Sequence, residues 1–204
     1  MNTDMDKVSY IIGRQIGGDF KKQGIEINFD HFSQGARSAF LEEKSDLSEE
    51  ETNKVMTAFQ AKMQEEMMRM QNEMGAKNQE EGKAFLEENK RRDGVVVTAS
   101  GLQYLKLESG NGKTPTAADQ VEVHYEGTLI DGTVFDSSFK RGESITFPVG
   151  GVIAGWTEAL QLMKEGDTFE LAIPSELAYG AQGAGNTIAP FSTLKFKVQL
   201  IKVI

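Results

Sequence analysis

The apolar residues of this chain change their period once, near the stretch RRDGVVVTASG at residues 91–101. Upstream they recur every three to four residues, as on one face of a helix. Downstream they alternate, as on one face of a strand. A segment patterned for one period does not settle into the other, so the chain divides there. All four prolines, Pro115, Pro148, Pro174 and Pro190, fall in the second half, and no proline breaks a helix in the first. The expected domains are residues 1–92, helical, and residues 93–204, built on a sheet.

Three helices are expected in the first domain. Val8, Ile12, Ile16 and Phe20 repeat on one face, with Ile11 beside them, and Gly24 suits the position after a helix end. A short second helix follows Asn28 and carries Phe29, Phe32, Ala36, Ala39 and Phe40 on one side. The third begins at SEEE, where Ser48 and Glu51 form a capping box. At 1.5 Å per residue, its uninterrupted run of about 43 residues predicts a rod of roughly 65 Å. Val55, Phe59, Met63, Met67, Met70 and Met74 mark an apolar stripe along its first part. The following GAKNQEEGK has almost no apolar residue, which predicts a helix packed at its N-terminal end and free towards its C-terminal end. Gly75 and Gly82 would weaken that end by about 1 kcal/mol each relative to alanine.

In the second domain QVEVHYEGTL sets Val121, Val123 and Tyr125 on one face and Glu122, His124 and Glu126 on the other. SITFPV, TFELAIP and STLKFKVQL repeat the alternation. Clean alternation belongs to an antiparallel sheet covered on one side. Trp156, Ala159, Leu160 and Met163 keep a helical period in its midst, so one helix lies across one sheet and the fold class is α+β.

Composition removes whole classes of chemistry. With no cysteine there is no disulfide, thiolate zinc site, iron–sulfur cluster or cysteine nucleophile. Two histidines, His31 and His124, make a histidine-rich metal site improbable, and neither a metal nor a cofactor is expected. The net charge of −9 argues against nucleic acid or an anionic membrane as partner. No run of 18 apolar residues exists to span a bilayer. The acidic MNTDMDKVSY lacks the apolar core of a secretory signal. The expected location is cytoplasmic, or periplasmic if a signal has been removed.

GNGKT at residues 110–114 lacks the first glycine of a phosphate loop, since position 107 is leucine, and reads as a turn. GAG at residues 183–185 is too short for dinucleotide binding. His124 on an outward strand face makes a serine–histidine–acid triad improbable. What remains is aromatic: Tyr125, Phe135, Phe147, Trp156, Tyr179 and Phe196. Most such residues are plain core. Two positions argue for a pocket, because Trp156 opens its helix and Tyr179 sits in the glycine-rich LAYGAQGAG. Asp136, in GTVFDSS, reads from its local sequence as an acid, a metal ligand or a turn residue.

The motifs VHYEGTLIDGTVFDSS, VIAGWTEAL, IPSELAYG and APFSTLKFKVQL, in order from Gly101 to Ile204, resemble the FKBP-type peptidyl-prolyl isomerases. The first half, with SYIIGRQIGGDF and the capped long helix, resembles the dimerising domain of their Mip-like bacterial branch. The resemblance implies an all-helical dimerisation domain with one long linking helix. It is followed by a five- to six-stranded antiparallel sheet wrapped around a short helix. It implies proline-containing unfolded or folding polypeptides as substrates, FK506/rapamycin-type macrolides as inhibitors, and a homodimer. The catalytic residues it implies are Tyr125, Phe135, Asp136, Tyr179 and Phe196. Those it implies for substrate binding are Arg141, Ile145, Phe147, Val152, Ile153, Trp156 and Ile188. Ile145 departs from the aromatic, and Ala189 from the proline, that many members carry there. On this reading Asp136 orients Tyr125 or Arg141 and need not titrate. The alternative is a non-catalytic holdase or binding module that grips clients along the methionine stripe.

Overall fold

The computed structural model describes residues 3–204, so Met1 and Asn2 of the expected first domain lie outside the described residues. Two compact units meet within the long helix, one up to Lys62 and one from Met63 to Ile204.

The first unit holds α1 (Asp4–Lys22), α2 (Phe29–Phe40) and the beginning of α3 (Glu49–Asn89). Polar side chains satisfy the helix starts. Thr3 and Asp6 form a reciprocal capping box on α1, Asn28 caps α2, and Ser48 and Glu51 cap α3. Gly24 takes φ +67° just past α1, the left-handed exit that glycine permits. Phe20 and Phe32 meet edge to face at 5.7 Å. Neither α1 nor α2 has a buried residue, and Val8, Ile11, Ile12, Phe29, Phe40, Val55 and Met56 are all exposed.

In the second unit seven strands form one antiparallel sheet: β1 (Val95–Val97), β2 (Gln103–Glu108), β3 (Gln120–Leu129), β4 (Val134–Ser137), β5 (Ile145–Pro148), β6 (Thr168–Ile173) and β7 (Leu194–Val203). Their order is β1-β2-β6-β7-β3-β4, and β5 pairs with the first part of β3. This is one strand more than the resemblance implies. The free edge of β3 is thus shared, by β5 along Gln120 to Val123 and by β4 along Glu126 to Thr128. The alternation survives: Val121, Val123 and Tyr125 face a core completed by Phe169, Leu171, Ile173, Leu194, Phe196, Val198 and Leu200. Two α-helices lie between its strands, the single turn α4 (Ser138–Arg141) and α5 (Ala154–Leu162). Trp156, Ala159 and Leu160 of α5 are buried in the core that the sheet's inward face forms. Gly155 lets α5 approach, because a Cβ there would stand 2.5 Å from the Ile173 side chain.

The expectation for α3 is reversed. Its buried residues are Gly75, Gly82 and Asn89, all in its C-terminal part. At Gly82 a Cβ would lie 2.3 Å from Thr193 Oγ1, and at Gly75 one would lie 3.0 Å from the Phe191 ring. Asn89 donates to Gln103 Oε1 at 2.8 Å, and Gln103 donates to the Leu86 carbonyl at 2.9 Å. The two glycines, read in sequence as helix weakeners, are the notch through which α3 packs against the end of the sheet. α3 ends at Asn89 and β1 begins at Val95, so the change of period near Arg92 follows a helix that already belongs to the sheet's unit.

Among the described residues no helix is long and apolar enough to cross a membrane, and no cluster of histidine, aspartate and glutamate could hold a metal ion.

Candidate active site

β3 supplies Tyr125 to the core-facing side of the sheet and Gly127 two residues on. Gly127 pairs with Asp136 of β4 on one side and with Phe196 of β7 on the other. A Cβ at Gly127 would stand 2.5 Å from the Phe135 ring and 2.7 Å from the Phe196 ring. The missing side chain therefore makes the space into which those two rings converge, edge to face at 5.6 Å. Trp156 lies at the centre of the cluster. Its indole meets Tyr125 at 5.3 Å, Phe147 at 5.7 Å and Phe196 at 5.3 Å, each edge to face. Such contacts hold rings in place beyond what burial alone does.

These rings surround a cavity of about 530 Å³, lined by Tyr125, Phe135, Asp136, Phe147, Gly151, Val152, Ile153, Trp156, Tyr179, Ile188 and Phe196. Every residue named from sequence is in that lining except Arg141 and Ile145. Ile145 pairs with Val123 and packs half-buried against the core. Arg141, at the end of α4, reaches its neighbours rather than the cavity.

The last three residues of GTVFDSS, Asp136 to Ser138, each hold a neighbour in place. Asp136 accepts from the Tyr125 hydroxyl through one oxygen and from Arg141 Nη1 through the other. Arg141 Nη2 donates to the Tyr125 hydroxyl at 3.3 Å, closing a triangle, and its guanidinium lies 5.8 Å from the Tyr125 ring centre. Ser137 caps α4 by accepting from the Lys140 N–H at 3.2 Å. The fully buried Ser138 accepts from the Tyr125 N–H at 2.7 Å and donates to the Tyr125 carbonyl at 3.2 Å. The carboxylate thus holds the ring of Tyr125 and the serine holds its backbone. Sequence reasoning missed both serines and Gly127, and only the glycine left a signal, as an interruption inside an otherwise regular strand.

Electrostatics agree with a fixed carboxylate. Burial pushes Asp136 up, but the Tyr125 hydroxyl, the Arg141 guanidinium and the Ser137 N–H together outweigh it and hold it below the ordinary carboxylate value. Tyr125 is raised, first by burial and then by its bond to Asp136. At neutral pH the group is an ionised carboxylate between a neutral phenol and a cation, with no proton poised for transfer. Two side-chain polar atoms of the lining residues stay unpaired. Trp156 Nε1 is the one buried side-chain donor without a partner among the described residues. The hydroxyl of Tyr179, 40% exposed, has no partner among them either.

The family model for FKBP-type peptidyl-prolyl cis–trans isomerases matches residues 111–201, and the model for the domain amino-terminal to it matches residues 5–105. "Outer membrane protein MIP" of Legionella longbeachae is 45% identical over the whole chain and 87% of its own length. The chain belongs to the FKBP-type peptidyl-prolyl cis–trans isomerases. "Peptidyl-prolyl cis-trans isomerase Mip" of Coxiella burnetii is 43% identical over the whole chain and 88% of its own length. The crystal structure of FkpA from Escherichia coli superposes with a TM-score of 0.80 at 37% identity, covering 100% of this chain and 98% of that one. This FKBP-type enzyme is accordingly a peptidyl-prolyl isomerase of the Mip and FkpA kind, and a purely non-catalytic holdase is not favoured. Its family acts on peptidyl-prolyl bonds.

Proposed function

We propose that this isomerase turns X–Pro bonds in folding polypeptides by accommodating the twisted amide in the aromatic cavity, without acid–base chemistry. The observation that carries this reading is the commitment of Asp136, the only charged residue in the lining, to Tyr125 and Arg141. Rotation is slow because amide resonance opposes it by about 18–20 kcal/mol. In the twisted state conjugation between carbonyl and nitrogen is lost and the amide is less polar. A dry aromatic wall therefore favours it over the planar ground state. Trp156 serves as floor and Tyr125, Phe135 and Phe196 as walls, while Val152, Ile153, Phe147 and Ile188 seat the proline and its neighbours. The Tyr179 hydroxyl, exposed at the cavity, is a donor free for a substrate carbonyl. Arg141 acts by holding Asp136 and Tyr125, and Ile145 acts by flanking β3 at Val123. A protease-coupled assay on a proline tetrapeptide, with and without an FK506-type macrolide, tests the reading. Turnover that is abolished by the macrolide and lowered at least about tenfold by Asp136→Leu supports it, and turnover indifferent to both overturns it.

The same reading extends to the helices. Residues 1–92 form the dimerising and client-binding part and residues 93–204 the isomerase part. Two copies join through residues 1–74, where the exposed faces of α1, α2 and the first part of α3 lack cover in the single chain. Linking two cavities raises the effective concentration of a long client at the second once the first has bound. The Legionella relative is named an outer membrane protein. That name does not support the cytoplasmic location expected from the sequence, and a location outside the cytoplasm is the better reading.

A further inference from the structure

One set of contacts lies outside the aromatic cavity and is unused by the isomerase reading. Within the unit from Met63 to Ile204, Gly75, Asn78 and Gly82 fall on one face of α3 and meet the segment leading into β7. Asn78 Nδ2 donates to the Pro190 carbonyl at 2.8 Å. The next residue, Phe191, has φ +57°, a left-handed conformation that is a genuine outlier for a bulky side chain. Its ring occupies the space left by the absent Cβ of Gly75. Its N–H donates to the Gly180 carbonyl at 2.8 Å. Strain of this kind persists only where the surroundings over-determine it. The Asn78 bond and the Gly75 notch are the holds that come from outside the loop.

Both ends of this corner lead into the cavity. Gly180 directly follows Tyr179. Pro190 lies two residues after Ile188, which exchanges both backbone hydrogen bonds with Ala184, at 2.8 and 3.1 Å. Tyr179 and Ile188 line the cavity, whereas Asn78 does not.

The geometry points to Asn78 as a positioning residue for the isomerase, one that fixes the left-handed corner at Phe191 and thereby the wall formed by Tyr179 and Ile188. This rests on the reading of the aromatic cavity as the substrate site. Asn78 touches no substrate and acts through the Pro190 carbonyl. A substrate then meets a preformed wall. Without the clamp, part of the binding free energy goes into ordering the loop, as it does whenever a site is not preorganised. The floor and far wall, Trp156, Phe135 and Asp136, are held by β3, β4, β7 and α5 and do not depend on α3. The loss should therefore appear in KM and not in kcat.

The experiment compares the full-length chain with Asn78→Ala, Asn78→Asp and Asp136→Leu on a proline tetrapeptide, measuring KM, kcat and the melting temperature. The Asp variant keeps the shape of Asn78 but cannot donate. Both Asn78 variants are expected to raise KM about three- to tenfold, the scale of one lost hydrogen bond, with kcat within about twofold of wild type. KM unchanged in both, or kcat lowered at unchanged KM, overturns the role of Asn78 while Asp136→Leu still reports on the cavity. Failure of Asn78→Ala to fold also overturns it, because the bond would then hold the fold and not the wall. An Asp136→Leu enzyme with full turnover removes the cavity reading, and the inference falls with it.

Discussion

The Tyr125 hydroxyl donates to Asp136, and both groups take a bond from Arg141. The three side chains come from β3, from β4 and from the single turn of α4, and each fixes the other two. If that triangle positions the wall and performs no proton transfer, Asp136→Leu should fold and lose at least about tenfold in kcat/KM, or about 1.4 kcal/mol. Tyr179→Phe, which removes one exposed hydroxyl, should cost about 1 kcal/mol. Turnover of both variants on a tetrapeptide, beside their circular dichroism, decides this. Wild-type activity in both would remove the roles assigned to them.

The position of Asp136 also sets a pH dependence. Its carboxyl is held below the ordinary value, so the ionised form is favoured by folding. The stability it contributes is fully present above about pH 4, the unfolded carboxyl value. It is lost as pH falls through its own lowered value. Tyr125, being raised, contributes below about pH 10 and loses its contribution above. Urea midpoints of wild type and Asp136→Asn should differ by a constant amount from pH 5 to 8 and converge in acid. The other lowered carboxylates are common to both proteins and cancel in the difference. A gap that persists unchanged to pH 2.5 would show that ionisation of Asp136 does not matter to the fold.

Gly127 predicts a selective lesion. An alanine Cβ would press on Phe135 and Phe196 at 2.5 and 2.7 Å, and overpacking of this kind costs about 1–3 kcal/mol. Both rings line the cavity, so Gly127→Ala should lower kcat/KM by more than its stability loss suggests. The same substitution at Gly24, which has nothing within 4 Å but φ +67°, should affect stability alone. Equal activity losses at the two positions would argue against the rings as the seat of catalysis.

The packing of α3 makes Gly82→Ala destabilising although alanine is the better helix former by about 1 kcal/mol. The added Cβ meets Thr193 Oγ1 at 2.3 Å and Thr193 Cβ at 3.2 Å. A fragment beginning at Met63 should match the full chain on a tetrapeptide, and one beginning at Val95 should melt lower and bind less tightly. An alanine variant at 82 that melts higher than wild type would mean that α3 is not held there in solution.

Gly13 probes the proposed dimer, since within the single chain nothing lies within 4 Å of a Cβ at that position. If two copies pack their first helices together, Gly13→Leu should halve the mass seen by light scattering at micromolar concentration and slow refolding of a proline-limited client. Tetrapeptide turnover should stay the same. A wild-type mass near 22.5 kDa would dispose of the dimer outright.

The sequence by itself determined the elements. The helical and alternating periods, the caps at Asn28 and Ser48, and the turn after Gly24 are local, and each rests on the spacing of a few neighbouring residues. It also named most of the cavity lining, because the motifs from Gly101 onward carry the family resemblance. Tertiary structure decided the rest. Only the folded chain brings Gly127 between Phe135 and Phe196, puts Ser138 on the backbone of Tyr125, and sets Ile145 beside β3 and not in the cavity. Only the fold shows that α3 is buried at its polar end. A hydrophobic stripe announces itself by what its side chains are, whereas the contact face of Gly75, Asn78 and Gly82 is made by side chains that are short or absent. Its meaning depends on Phe191 and Thr193, more than a hundred residues away in sequence, arriving in the space those residues leave.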